Sequence, residues 1–539
     1  MEPPRAGLAL LRPHAFGAAD WIILVAYALA VLGIGYHYSR RQRTTEEYFV
    51  GGRKMSPFLA GISIFTATTS IIAYIGIPGE YIQYGPGLVF FAALAPIPFI
   101  QLVAGGFIIP RIMRIPITSA YELLEDRLGR WVRRTGSLIF IGTRFIWMAL
   151  ILYAAAGVLV HVVGCDPRWA AIAIVITGLV TMTYTLLGGI RTVMITEVVQ
   201  FFMLLAGAVL TLISISVRLG GIRAWWPSHW ESHWQPQPLF SLDPRIRVTL
   251  VTAFLCNLLS FVCSAGSDQA AIQRLLTTRD AAAARRAYLL SNLASGTMSC
   301  LLGLVGAALL AFYRLRPELV PDHLTVAQNG DAFFPHYVGH FLPAGISGLM
   351  VACILASAMS CLAAGLNATV TVISRDFLAA RENRPGMTEA SRVRDSRRLT
   401  LALGLVVIAA GIGVGAVRGD LVEMSSKTVN LLFAPIFGLF FLAMFVRFAT
   451  PFGAMMGAIY SSAAATLVGF WDVFTGQPPV SFLLIVIVSL AVSLLVGTGL
   501  SLLPTRGKRW PAVAAWAVVC LAPLAAGVAW LVAWGIRTA

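Results

Sequence analysis

Long apolar runs, each close to the 20 residues needed to cross a hydrocarbon core, recur about fourteen times along the chain. They predict membrane-spanning helices near 19–37, 56–77, 85–113, 134–163, 168–187, 192–218, 247–265, 286–313, 344–378, 397–416, 421–446, 452–472, 480–500 and 512–534. Two polar stretches between them keep a helical rhythm. Residues 118–134 open on Thr and Ser and space their apolar positions at the helical period. Residues 280–286 (DAAAARR) suit a short basic helix lying on the membrane surface, with its arginines toward anionic lipid headgroups. The stretch 220–246 carries Trp225, Trp226, Trp230 and Trp234 and reads as an interfacial aromatic anchor. It also holds His229 and His233, but HWESH lacks the HExxH order of a zinc-binding helix, so no metal centre is expected.

Charge turns this list of spans into a topology. With the connections numbered alternately, 27 cations fall on one side and 11 on the other, and Arg144 and Lys427 complete the total of 40. Cytoplasmic connections carry the excess of Lys and Arg, so the rich side is assigned to the cytoplasm and both termini to the outside. At 58% hydrophobic and 12% charged, with mean hydropathy +0.80, the composition excludes a soluble globular domain and implies a multi-pass protein of the cell (plasma or inner) membrane. The net charge of +16, which in a soluble chain would suggest nucleic acid, is here the cytoplasmic excess. The seven cysteines sit mostly in apolar runs without a CxxC pair and read as small core residues rather than disulfides. No basic region leading into a cleavable apolar stretch opens the chain, so no signal peptide is expected. There is no P-loop, nucleophile elbow or catalytic His/Asp pair, which speaks against an enzyme.

Polar residues inside the spans carry the chemistry. A cation at mid-membrane costs about 2.5–3.5 kcal/mol on insertion scales, so Arg144 and Lys427 mark a polar pathway. Glu197 adds a carboxylate, which either pairs with a cation or holds a proton. The second span carries Thr66-Ala67-Thr68-Thr69-Ser70 followed by Pro78, and the seventh carries Asn257, Ser260 and Ser264 before Gly266. Such runs fit interrupted helices, because broken backbone is tolerated at membrane depth only where it is buried in protein or lines a cavity. The alternative is that these hydroxyls only join helices, at under ~1 kcal/mol each.

Several segments, in order and at matching spacing over about residues 45–460, resemble the sodium:solute symporter family. They are YFVGGRKMSP (48–57), ITSAYELLEDR (117–127), YTLLGGIRTVMITEVVQ (184–200), SDQAAIQR (267–274), LPAGISGLMVACILASAMSCLAAGLNATVTVISRDF (342–377) and RFATPFGAMMGA (447–458). The resemblance implies an all-helical, LeuT-like core of two inverted five-helix repeats, 56–218 and 247–446. An external tail (1–18) and an extra helix (19–37) precede the core, and three further helices (452–534) follow it. It implies sodium and solute sites at mid-membrane beside the interrupted helices. For sodium, it points to the carbonyls of Thr66, Thr69 and Ser357, the hydroxyl of Ser360, and the position of Cys361. Sodium is a hard ion that prefers oxygen, and the thiol of Cys361 is a poor ligand, so a hydroxyl from Thr66 or Thr69, or a water, is expected to replace it. A second sodium site found in some relatives would use positions that here read Ala363, Ala364 and Glu197, and it is expected to be absent.

For the solute, the resemblance points to Thr68, Ala73, Phe261, Ser264 and Lys427, and to Arg144. Arg144 falls about one helical turn before Trp147, which occupies the place where sialic acid carriers have a carboxylate-binding arginine. Leu94 stands where those carriers have glutamine. Two cations near one cavity favour a carboxylate or other anion. Each also has a structural alternative: Lys427 an ion pair with Glu423 four residues before it, Arg144 a pairing with Glu197. The function expected is Na⁺-coupled uptake of a small polar, carboxylate-bearing solute, with sodium as coupling ion, lipid as surroundings, no other cofactor and no nucleic acid. The rival readings are proton coupling through Glu197 and a non-transporting sensor. A tenfold sodium gradient supplies ~1.4 kcal/mol. A 100 mV potential adds ~2.3 kcal/mol per net charge moved, a contribution lost if one Na⁺ travels with one monovalent anion.

Overall fold

The computed structural model describes residues 16–39, 44–115, 117–227, 229–322, 324–378, 388–414, 421–503 and 520–521, the side chains of residues 39, 421–430 and 432 excepted. These residues are almost wholly helical. Among them nine helices are long and apolar enough to cross a membrane, or ten when a bent pair is taken as one span. The helix expected over 512–534 lies outside the described residues, apart from 520 and 521.

Helix α1 (Ala18–Ser39) is followed by the bent pair α2 (Pro57–Thr68) and α3 (Ile71–Tyr84), whose axes diverge by 71°. The TATTS run both stops one helix and starts the next. Thr69 is extended (φ −91°, ψ 108°), and the Ser70 hydroxyl accepts from the Ala73 N–H at 3.4 Å as an N-cap. Pro78 lies inside α3 and is not the break. Gly61 lets α2 approach the backbone around Ala287 closely, since a Cβ there would stand 2.5 Å from the Ala287 carbonyl oxygen. A helical run over Gly87–Ile112 forms the next span.

The stretch expected to be one helix over 118–134 is divided. Helix α4 (Glu122–Leu128) ends at Gly129 (φ 86°), and α5 (Arg130–Val163) starts directly after it. Helix α6 (Ala170–Leu219) joins the two spans expected at 168–187 and 192–218 with one non-helical residue, Gly189 (φ 52°, ψ −160°). Fifty helical residues would reach about 75 Å if straight, more than twice a hydrocarbon core of about 30 Å. Gly189, in a backbone conformation that favours glycine, is where the chain turns back.

Helix α7 (Leu250–Ser267) and the short α8 (Gln269–Leu275) form the second interrupted pair. The break falls at Asp268 (φ −79°, ψ 112°), two residues beyond Gly266, and the Asp268 carboxylate caps α8 by accepting from the Ala270 N–H at 2.9 Å. The basic segment 280–286 is not a separate surface helix. Apart from its capping residue Asp280, it is the first turns of α9 (Ala281–Leu315). Helix α10 (Gly330–Phe341), which the apolar pattern did not announce, precedes α11 (Ile346–Val372). The remaining long helices among the described residues are α12 (Glu389–Val414), α13 (Leu421–Phe445), α14 (Pro451–Gly469) and α15 (Leu484–Leu500).

Helix α11 is the axis of the bundle, with residues from Met350 to Val372 almost continuously buried. Its start is fixed from outside its own sequence. Asp20 of α1, fully buried, accepts from the Gly345 N–H at 2.8 Å and the Gly348 N–H at 2.7 Å, filling donors that a helix N-terminus leaves free. The tryptophans of 220–246 divide. Trp226 and Trp230 are exposed, but Trp225 and Trp234 are buried, and the Trp234 indole donates to the Ile82 carbonyl at 3.0 Å, seating this loop on α3. His233 shares that carbonyl, and His229 meets Glu231.

Candidate functional site

The two helix breaks face a cavity of about 320 Å³. Thr68, Ala73, Arg144, Phe261 and Ser264, the described side chains expected to meet solute, all line it, as does Trp147. Lys427 belongs to α13, but its side chain lies outside the described residues, as does that of Glu423. Leu94 lies elsewhere, half-exposed and against Gly296. Most of the cavity wall is apolar, with Ile64, Phe65, Phe140 and Met298 prominent. Its charged groups stand at one end. There the Arg144 guanidinium bonds the Asp268 carboxylate, both largely withdrawn from solvent. Arg144 therefore has neither of its expected fates alone: it lines the cavity, and its partner is Asp268 rather than Glu197.

At its other end the cavity opens into a vestibule of about 960 Å³, with which it shares Thr68, Ala73, Ile77, Trp147, Ser260 and Ser299. Arg247 stands in the vestibule wall. It makes two hydrogen bonds to Glu80 of α3 (2.5 and 2.7 Å) and lies 3.4 Å from the Tyr84 ring centroid. The end beyond Asp268 is closed. The Gln269 side chain accepts from the Ala120 N–H at 2.7 Å and donates to the Thr118 carbonyl at 3.0 Å, fastening the 117–121 segment to the helix break. Asp376 gathers Arg133, Ser119 and Ser137 at 2.5, 3.1 and 2.5 Å, tying α4 and α5 to the end of the α11 span. Arg133 also bonds Glu125 at 2.5 Å, and this holds the half-buried Glu125 carboxyl below the usual carboxylate range.

Beside the cavity, where α2 ends against α11, the five groups expected to hold sodium come together. The Ser360 hydroxyl donates to the carbonyls of Thr66 (3.1 Å) and Ser357 (2.8 Å). The Cys361 thiol points at the carbonyls of Thr69 (3.3 Å) and Thr66 (3.6 Å), and the Ser357 hydroxyl at that of Thr69 (3.3 Å). The break frees the Thr66 and Thr69 carbonyls, because the backbone leaves the helix at Thr69 and Ser70, while the Ser357 carbonyl lies within the continuous helix α11. Three carbonyls and one hydroxyl form a hard-oxygen set suited to a small cation. The hydroxyl of Thr66 does not replace the one missing at Cys361: it bonds back to Ile62 (3.1 Å) and Ser63 (3.2 Å) in its own helix.

Glu197 does not reach the cavity. It is fully buried against Arg274 of α8 (2.6 Å), and Ser63 donates to it. Arg274 is itself completely buried within the protein. Sequence reasoning passed over Asp268 and Arg274, although both stand in SDQAAIQR beside a predicted break. It also passed over Ser291, Ser295 and Ser299, which line the cavity at four-residue spacing on α9.

A profile of the sodium:solute symporter family matches residues 48–461. The chain is 28% identical over 463 residues to the sodium/sialic acid symporter NanT of Aliivibrio fischeri, covering 84% of this chain and 88% of that one. It is 27% identical to the sodium-dependent multivitamin transporter of Oryctolagus cuniculus, covering 86% and 72% respectively. Its fold superposes on a solved Na⁺-coupled sialic acid symporter, captured substrate-bound and outward-open, with a TM-score of 0.75 at 25% identity, covering 90% of this chain and 98% of that structure.

Proposed function

Because the chain belongs to the sodium:solute symporter family, and is thus a multi-pass, sodium-coupled membrane transporter rather than an enzyme, we propose how its parts divide that work. The junction of Thr66, Thr69, Ser357, Ser360 and Cys361 takes the coupling sodium ion. The adjoining cavity takes a small polar solute whose carboxylate meets Arg144, with Lys427 as a further contact. The single observation that carries this reading is the convergence of those five groups on the seam between a broken helix and α11, directly beside the cavity. A ligand on that seam bonds both sides at once, so it favours whichever state brings α2 and α11 together, which is the differential affinity that coupling requires.

The core is read as two inverted repeats, 56–218 and 247–446, with 19–37 before and 452–534 after, about fourteen spans in all and both termini outside. The vestibule of Glu80 and Arg247 is then the external mouth, and the network around Asp376 is the closed cytoplasmic end. Two interrupted pairs, one in each half, support that reading. Alternating access would open the Asp376 end as the vestibule closes. Glu197 already holds Arg274 and Ser63, which favours sodium over a proton carried on this carboxylate. Sodium-gradient-driven uptake into proteoliposomes, screened with labelled carboxylates, amino acids and sugars, tests the assignment. Uptake should require sodium and be lost in Ser360→Ala. Uptake indifferent to sodium would defeat it.

A further inference from the structure

We propose that the solute is a zwitterion, with its carboxylate on Arg144 and its cationic nitrogen on Asp268, Ser264 and Ser291. This deepens the solute site proposed above and rests on it. Arg144 and Asp268 are paired at the closed end of the cavity, with side chains 13% and 4% exposed. Among the described lining residues they are the ones carrying formal charge, so this end is electrically neutral. A solute bearing only a carboxylate sets two carboxylates, its own and that of Asp268, against one buried guanidinium, and an uncompensated buried charge is strongly unfavourable. A zwitterion inserted between the two keeps both charges compensated.

The surroundings supply what an ammonium group needs. It has three N–H donors, and Asp268 accounts for one. Ser264 lies one helical turn before Asp268, whose N–H donates to its carbonyl at 3.2 Å. Ser291 stands on α9 three residues beyond Tyr288, whose hydroxyl bonds the Phe261 carbonyl at 2.5 Å and so fastens this stretch of α9 to α7. Ser264 is 9% exposed and Ser291 2%, both line the cavity, and neither hydroxyl bonds another described residue. Buried hydroxyls are ordinarily satisfied; two left open toward the cavity that the carboxylate also lines fit a bound donor. The guanidinium keeps N–H groups beyond the one given to Asp268, enough for a two-point carboxylate contact. The apolar wall of Ile64, Phe65, Trp147 and Met298 fits an uncharged body.

The test uses the full-length protein in sodium, with thermal-shift titration of L-leucine and L-phenylalanine, their des-amino counterparts 4-methylpentanoate and 3-phenylpropanoate, and sialic acid, an N-acylated monocarboxylate. At least one amino acid should bind at least tenfold more tightly than its des-amino counterpart and than sialic acid. Asp268→Asn keeps the helix cap, since Asn caps as well as Asp. It should weaken that amino acid at least tenfold while leaving the shift caused by sodium alone in place. Ser291→Ala, which leaves the ion pair untouched, should weaken it severalfold and serves if Asp268→Asn does not fold. The zwitterion assignment is overturned if a des-amino acid or sialic acid binds as tightly, if the variants that fold bind the amino acid like wild type, or if neither amino acid binds. Sodium-dependent binding of a plain carboxylate would leave the sodium-coupled reading standing; loss of every sodium response would remove both.

Discussion

Replacing Cys361 by serine should tighten sodium binding, and the size of the gain follows from the junction. The thiol lies 3.3 Å from the Thr69 carbonyl and 3.6 Å from that of Thr66, so its terminal atom already points at the carbonyls that would face the ion. Those carbonyls, the Ser357 carbonyl and the Ser360 hydroxyl supply four oxygens. A serine hydroxyl supplies a fifth in place of a soft sulfur. An interaction with a charged group is worth about 1.5–3 kcal/mol, and the hydroxyl must give up a neutral hydrogen bond of about 1 kcal/mol to a carbonyl. The net gain is about 0.5–2 kcal/mol, which at 1.4 kcal/mol per decade is roughly a 2- to 30-fold lower half-saturating sodium concentration. The assay is a sodium titration of the purified protein at constant ionic strength, read by thermal shift. Cys361→Ala is the control that adds no oxygen and should not tighten binding. A serine variant with the same melting temperature without sodium, but an unchanged or higher half-saturation, would refute the reasoning.

Other consequences are as direct. Glu197→Gln leaves Arg274 charged and unpaired in a fully buried site, which should cost about 3–5 kcal/mol; replacing both residues by methionine should recover most of the melting temperature. Sodium-driven uptake by any Glu197 variant that folds should keep the wild-type pH profile, because the carboxylate is a structural partner and not a proton carrier. Asp20→Ala strands the N–H groups of Gly345 and Gly348 and should cost about 2–4 kcal/mol in thermal denaturation; Asp20→Asn, which keeps an acceptor, should cost less. Arg133 depresses the Glu125 carboxyl, so the stability this pair contributes is complete above the unfolded carboxylate value of about pH 4.3 and fades as the pH falls through the lowered folded one. The melting temperatures of wild type and Glu125→Gln should therefore differ near pH 6 and converge in acid.

The apolar runs located the spans because a bilayer demands about 20 hydrophobic residues whatever their partners. Where spans fuse or break, the decisive feature is a single residue: Gly189 joins two spans into α6, and Asp268 rather than Gly266 divides α7 from α8. Helix α10 escaped notice because it is only 12 residues long and ends in a polar, histidine-bearing stretch. The five groups to which the family resemblance pointed for sodium do meet in the fold, lying in two short motifs, 66–69 and 357–361. The charge partners were not legible. Arg144 and Asp268 are 124 residues apart, and Glu197 and Arg274 are 77 apart; only the tertiary fold decides which carboxylate each arginine meets. Arg274 looked like one cytoplasmic cation among many because it follows a helix break, where a loop was expected instead of the buried helix α8.

Radiosodium binding to the purified wild-type protein and to Ser360→Ala measures the central claim without needing the solute. The account predicts saturable binding of one sodium ion per wild-type chain, and at least tenfold weaker binding once the Ser360 hydroxyl, which bridges the Thr66 and Ser357 carbonyls, is removed. Binding of equal strength in the variant, in protein that melts at the wild-type temperature without sodium, would place the ion somewhere other than the seam between α2 and α11.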